Sequence, residues 1–293
     1  MAGNASGAVV VTGASTGIGR ATALLLDKKG YRVFAGVRKD EDAKSLKDAG
    51  SDLLKPIKID VTKERSIATA ARNVKRALGD EGLVGLVNNA GVGGGGPVEF
   101  IPIDDFRNTL EVNVVGQVAV TQAFLPLIRK AKGTVVFIAS IGGRIAAPFL
   151  SPYNASKFAV EALGDSLRRE VLPWGIDVVV VEPGTIATEI WSKGKDALQD
   201  TTEVMPPDAV RLYGPQLEAW AKSFMGEGDT QGISPDKVAR VIHKGIAKDK
   251  PKPRYLVGTD AKIGAKMNVV VPTRTFDKMA RRRFGLSDDV PPE

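Results

Sequence analysis

No cysteine occurs among the 293 residues, and histidine occurs once, at His243. The first absence removes disulfide frameworks, thiolate nucleophiles and cysteine-ligated zinc or iron–sulfur sites. The second removes two-histidine metal sites and leaves any serine–histidine triad resting on one residue. No metal site is expected, and His243 itself falls in the helical pattern Val238–Ile246, where a surface or packing role is the simpler reading. Proton chemistry must therefore come from other groups. Long apolar runs are also missing near the start, where Ala8–Val11 is too short for a signal peptide or a membrane span. The opening Met-Ala-Gly lacks the myristoylation pattern. A cytoplasmic protein is expected.

What is present fits a folded domain: 43% hydrophobic and 26% charged residues, enough chain to bury a substantial core. Glycine is in excess, 32 residues, with much of the surplus before residue 145. The net charge of +7 is uneven, because residues 240–283 hold thirteen Lys/Arg against three Asp and the remainder carries −3. Such a basic tail reads either as a contact for an anionic surface or as a solvated face. The body offers no basic stripe with interleaved aromatics, so no nucleic-acid partner is expected.

β-branched runs at 9–12, 32–37, 54–60, 83–88, 134–139, 177–182 and 254–257 alternate with helical patterns at 19–29, 63–78, 106–129 and 153–171. The strand runs are continuous, which implies burial on both faces. The expected architecture is α/β, a doubly wound (Rossmann) parallel sheet of about seven strands with helices on both faces. One domain, 1–293, is expected, with a substrate lid inserted at about 189–232 and a basic C-terminal extension from about 259. Pro206-Pro207 and Gly226–Gly228 are read as interruptions of weak helical patterns, and Gly93–Gly96 as a flexible turn. Ser234 is read as a helix cap followed by Pro235 in the first turn.

The stretch Thr12-Gly13-Ala14-Ser15-Thr16-Gly17-Ile18-Gly19 leads from the first strand run into a helix. Gly13 suits the sharp turn, Gly17 the approach of a pyrophosphate and Gly19 close helix–strand packing, with free helix N–H groups facing the anion. The spacing G-x-x-x-G-x-G resembles that of the short-chain dehydrogenase/reductase family, and in motif style its hydroxysteroid and retinol dehydrogenase-like members. Asn88-Asn89-Ala90-Gly91 closes the fourth run as that family's N-N-A-G motif does. The resemblance covers about residues 8–190. It implies adenine contacts from Asp60 and Val61, and a nicotinamide segment at Pro183-Gly184-Thr185-Ile186-Ala187-Thr188. It also implies homodimers or homotetramers built through the helices at 106–129 and 153–171.

Cofactor choice turns on the end of the second strand, where a carboxylate favours NAD(H) and an arginine the 2′-phosphate of NADP(H). Val37 holds the acidic position and Arg38 follows, so NADP(H) is preferred, with Arg38 and Ser15 on the phosphate. The competing reading has Asp40 supply the carboxylate, with NAD(H) bound instead.

Tyr153 and Lys157 stand four apart at a helix start, thirteen residues after Ser140. With Asn113 they match the family's Asn–Ser–Tyr–Lys tetrad. Hydride transfer to a carbonyl needs a proton donor, and the reverse reaction a base. Tyrosine, with its high ordinary pKa, fills that role if the Lys157 ammonium and an oxidised nicotinamide lower it. Lys157 also binds the nicotinamide ribose, Ser140 polarises the substrate oxygen, and the resemblance gives Asn113 a water leading to solvent. The reading is an NADP(H)-dependent oxidoreductase acting on a small-molecule alcohol or carbonyl compound. The contrasting reading is an idle nucleotide sensor or scaffold on the same fold.

Apolar residues in Ile141–Leu150, together with Ile190, Trp191, Leu198, Val204 and Met205, suit an apolar alcohol or ketone. Ser-x-x-Gly-Arg followed by Pro148-Phe149 resembles family members acting on steroids or retinoids, which implies a steroid-, retinoid- or lipid-like substrate. Arg144 either recognises a substrate carboxylate or binds structure locally. The C-terminal piece Pro272–Phe284 mixes Phe276, Met279 and Phe284 with five basic residues. It is read either as a peripheral membrane contact or as a packed segment.

Overall fold

The computed structural model describes residues 7–186 and 205–286. Seven strands form where the β-branched runs lie: β1 (Ala8–Val11), β2 (Arg32–Val37), β3 (Leu54–Lys58), β4 (Gly85–Asn88), β5 (Thr134–Ile138), β6 (Asp177–Pro183) and β7 (Arg254–Val257). All pair in parallel, in the order β3-β2-β1-β4-β5-β6-β7. The order reverses between β1 and β4, so the crevice beyond their carboxyl ends is where a ligand fits such a sheet.

Alternation along each strand feeds two cores. Ala8 and Val10 of β1, with Val135, Phe137, Val178 and Val180, enter one face. Val9, Val11, Val136, Ile138, Val179 and Val181 enter the other. Helices cover both faces: α1 (Gly17–Lys28), α2 (Asp40–Ala49), α3 (Glu64–Leu78), α4 (Ile103–Leu110), α5 (Gly116–Ala131) and α6 (Ser151–Val171). After these come α7 (Pro207–Gln231), α8 (Pro235–Ala247), α9 (Thr259–Val270) and α10 (Thr273–Arg283). The continuous span Ile103–Ala131 is long and apolar enough by composition to cross a membrane. Its Val120, Phe124 and Ile128 are instead wholly buried in the first core. Against the opposite edge α6 approaches β6 closely, because a Cβ on Gly164 would stand 2.4 Å from a Val180 methyl.

Three readings need correction. The pattern at 106–129 is not one α-helix, since Glu111–Val115 forms a π-turn between α4 and α5. Pro207 and Gly226–Gly228 do not interrupt: Pro207 opens the 25-residue α7, whose span includes the glycines. A proline in the first turn lacks only an N–H that no helix carbonyl would have accepted. Nor is Gly93–Gly96 loose, because Gly96 N–H donates to Phe149 O at 2.7 Å and a Cβ at Gly95 would meet that same oxygen at 2.5 Å. The helix α2, rich in charge and buried only at Leu46, had no apolar stripe to announce it. Ser234 does cap α8, its Oγ accepting from Asp236 N. His243 packs edge-on against Tyr31 at 5.8 Å between centroids, beside the amino end of β2. Of the lid, residues 189–204 lie outside the described residues.

Candidate active site

The glycine turn is assembled by hydrogen bonds across the β1–β4 switch. Thr12 Oγ1 accepts from Asn89 N and Ala90 N, each at 3.0 Å, while Asn89 Nδ2 donates to Thr12 O and Gly13 O. Gly13 takes φ +62°, and a Cβ on Gly19 would lie 2.1 Å from Gly13 O. Both glycines are therefore required by backbone geometry, not only by composition. Thr16 caps α1 without a side-chain hydrogen bond, so the first-turn N–H groups of Gly17, Ile18 and Gly19 remain available to an anion. Ser15 stands half-buried on the same turn. The residues present thus fit a dinucleotide pyrophosphate.

Around the turn lie the other predicted contacts. Val37 is buried at the end of β2, and Arg38 is the first exposed residue after it. Asp40 sits in the first turn of α2 with its carboxylate on Lys58 Nζ at 2.9 Å, and Lys58 also donates to Arg38 O. Beyond β3, Asp60 accepts from Thr62 Oγ1 at 2.7 Å and Thr62 N at 3.1 Å. Burial opposes its charge, but these bonds, with Lys63 and Arg38 nearby, hold the carboxyl below its ordinary range. Val61 is buried beside it.

The tetrad residues come together beneath β4 and β5. Ser140, two residues beyond β5, caps a short 3-10 turn, Ile141–Gly143, by accepting from Gly142 N at 3.0 Å. Its hydroxyl acts on the Tyr153 phenol in the direction of a lower pKa. Lys157, one turn further along α6, is buried and donates from Nζ to Ile138 O at 2.9 Å. The ammonium lies 5.6 Å from the Tyr153 ring centroid. Burial depresses its pKa from 10.5 to about 8. The Tyr153 phenol moves the other way: burial raises its pKa and the Ser140 hydrogen bond only partly offsets that. In the cofactor-free site desolvation of the phenolate is the larger effect, and the lowering expected from Lys157 with an oxidised nicotinamide belongs to the loaded site.

Asn113 occupies the π-turn between α4 and α5, a device that often marks functional sites. Its Oδ1 accepts from Val92 N at 2.8 Å, and Nδ2 donates to Val92 O and to Ser156 Oγ, both at 2.9 Å. The side chain thus braces the N-N-A-G turn against α6. Gly91 sits in that turn, where a Cβ would stand 3.8 Å from Lys157 Nζ.

Beyond β6 the segment Pro183-Gly184-Thr185-Ile186 is held at every backbone step. Gly184 N donates to Val257 O, Thr185 N to Asp260 Oδ2 at 2.7 Å, and Ile186 bridges Ile233. Ala187 and Thr188 lie outside the described residues. Sequence reasoning missed Thr12 as an organiser and Asp260 as the anchor of this loop. The T-G opening of the motif was a signal for the first, whereas the second acts across 75 residues. Arg144 resolves as a structural residue: its guanidinium binds the wholly buried carboxylate of Glu182 through Nε and Nη2. Among the described residues no cluster of His, Asp and Glu suits a metal ion.

The short chain dehydrogenase model matches residues 7–199. The chain belongs to that family. It is 37% identical over 280 residues to 17-beta-hydroxysteroid dehydrogenase type 6 of Bos taurus, covering 94% of this chain and 88% of the relative. It is 36% identical over 278 residues to NADPH-dependent 3-dehydrocapnine reductase of Ornithobacterium rhinotracheale, covering 92% and 94%. A short chain dehydrogenase of Burkholderia cenocepacia, solved in complex with NADP, superposes with a TM-score of 0.70 at 25% identity, covering 96% of this chain and 98% of that one. This short-chain dehydrogenase is accordingly an oxidoreductase with the Rossmann-like fold of its family.

Proposed function

We propose that the enzyme interconverts an alcohol and a ketone or aldehyde by hydride exchange with NADP(H), on an apolar substrate of steroid, retinoid or lipid type. The observation that carries this reading is the buried Lys157, held on Ile138 O at 2.9 Å with its ammonium 5.6 Å from the Tyr153 ring, at the same end of the sheet as an open glycine turn. The bound dinucleotide supplies or accepts the hydride. The chain's own groups do the rest. Ser140 donates to the carbonyl oxygen, and Tyr153 passes its phenolic proton to that oxygen as the alkoxide forms. In the reverse direction the phenolate takes the alcohol proton. Lys157 places a positive charge beside the ring and presents Nζ hydrogens toward the ribose.

Cofactor preference is supported by the pairing of Asp40 with Lys58, which occupies the competing carboxylate and leaves the Arg38 guanidinium at the end of β2. Arg38→Asp is expected to weaken NADPH binding roughly tenfold to a hundredfold, the value of a charge-assisted hydrogen bond, and to spare NADH. Fluorescence titration of both cofactors checks this; a wild-type preference for NADH sinks it. An apolar substrate is supported by aromatic packing beside the Ser140 turn. Phe149 meets Tyr213 and Trp220 edge-on, and Tyr213 meets Phe100. Phe149 holds φ +61°, a conformation costly for a bulky side chain and retained where packing over-determines it. Absorbance at the reduced nicotinamide band, with sterols, retinoids and simple ketones, tests the class. Turnover confined to small hydrophilic carbonyls would overturn it.

The same reading places the C-terminal helices on an anionic bilayer. Val269 and Val270 of α9 are 79% and 66% exposed, and α10 buries no residue while carrying Arg274, Lys278 and Arg281–Arg283. Sedimentation with phosphatidylserine vesicles at low salt is expected to carry the enzyme down, and neutral vesicles are expected to leave it in solution. Equal recovery from both removes the membrane contact.

A further inference from the structure

Three segments that must keep register during the reaction converge on one ion-pair network built around the buried Glu182 carboxylate. The Ser140 turn contributes Arg144, four residues after the catalytic hydroxyl. The end of β6 contributes Glu182, wholly buried and directly before the Pro183-Gly184 loop. Helix α6 contributes Glu161 and Asp165, one and two turns beyond Lys157 on the same face. Arg254, opening β7, joins them: Nε lies 2.9 Å from Glu161 Oε2 and 3.5 Å from Glu182 Oε1, and Nη2 lies 2.9 Å from Asp165 Oδ1. Arg144 is held from behind as well, its carbonyl accepting from Asn268 Nδ2 at 2.9 Å.

Glu182 is wholly buried while the Arg144 side chain is 31% exposed, and desolvation of the carboxylate offsets much of the pair's Coulomb attraction, so that apolar residues of similar volume can replace it. What it does provide is geometry. A bidentate guanidinium–carboxylate pair fixes two partners in distance and in plane. Here the two partners are the backbone that aims Ser140 and the strand end from which the nicotinamide segment departs.

We propose that Arg144 and Glu182 are positioning residues, which set the separation between the substrate-polarising hydroxyl of Ser140 and the dinucleotide loop after β6. They touch neither substrate nor cofactor and act through Ser140 and Pro183. The proposal rests on the oxidoreductase reading above.

Kinetics of Arg144→Lys, Glu182→Gln and the apolar double variant Arg144→Met/Glu182→Leu test it. Each is expected to lower kcat about tenfold to a hundredfold, the range for a displacement near 1 Å, while NADPH binding by fluorescence stays within about threefold of wild type. The double variant separates geometry from stability: its melting temperature is expected to match or exceed the wild-type value while kcat stays low. In a Ser140→Ala background, Arg144→Lys is expected to cost less than about threefold, because the group it aims is gone. Wild-type kcat in the double variant overturns the proposal, as does a full, independent loss on top of Ser140→Ala. Should Glu182→Gln fail to fold, Arg144→Lys, which keeps charge and loses the fork, carries the test alone. Tyr153→Phe runs alongside. If that variant turns over normally, the acid–base reading fails; if it is inactive and the clamp variants are normal, only the clamp fails.

Discussion

Tyr153→Phe is expected to abolish turnover, lowering kcat by about a thousandfold or more, while NADPH binding remains near wild type. The hydroxyl removed is the group to which the proposed mechanism assigns the proton for the alkoxide. The ring remains, so packing at the start of α6 is preserved. Single-turnover mixing with NADPH and the best carbonyl substrate, beside a cofactor titration, measures both quantities. Retention of near-normal turnover sinks the acid–base assignment. The pH dependence carries a sign as well. Burial raises the phenol pKa, so in the cofactor-free site Tyr153 stands protonated and ready to donate, which favours carbonyl reduction. Oxidation of the alcohol requires phenolate, and its rate is expected to climb with pH through the alkaline range where reduction declines.

Lys157→Met is expected to do two opposite things. Activity falls by orders of magnitude and NADPH binds less well, because the charge beside the ring and the Nζ hydrogens are gone. Stability at neutral pH increases. The ammonium is buried, and its pKa is depressed from 10.5 to about 8 by desolvation. Between those values the unfolded chain binds more protons than the folded one, so stability rises with pH across that window and the whole cost is present below pH 8. At about 1.4 kcal/mol for each tenfold change in proton affinity, the cost is at most about 3 kcal/mol. Urea unfolding at pH 7 and pH 10 is expected to show the wild type gaining stability on going alkaline more than the variant does. A variant less stable than wild type at pH 7 would show that the Ile138 carbonyl bond outweighs desolvation, contrary to this account. Part of this enzyme's stability is then spent on holding a charge where the reaction needs it.

Much of the site was legible because its signals are local. A glycine with φ +62° at Gly13, a helix start with no side-chain cap at Thr16, and a Tyr–Lys pair one turn apart all follow from residues within a few positions of each other. Strand positions were legible too, since burial on both sheet faces writes a continuous β-branched run such as Val178–Val181. The readings that failed depended on contacts between distant segments. The π-turn at Asn113 has no composition of its own; it is stabilised by bonds to Val92 and Ser156, 21 and 43 residues away. Arg144 had two open readings until Glu182, 38 residues on, was seen to take its guanidinium.

By itself the sequence determined which chemistry was available. With no cysteine and a single histidine outside the motifs, the tyrosine–lysine pair at 153 and 157 was left as the candidate for proton transfer, and the glycine spacing admits a dinucleotide. Only the tertiary structure decided how that chemistry is poised. It fixed the charge states at the site, because desolvation depends on what the whole fold packs around a group and not on its neighbours in the chain. It also decided which charged residues serve as framework, because the Arg144, Glu161, Asp165, Glu182 and Arg254 network exists only where two strands, the turn after β5 and a helix meet.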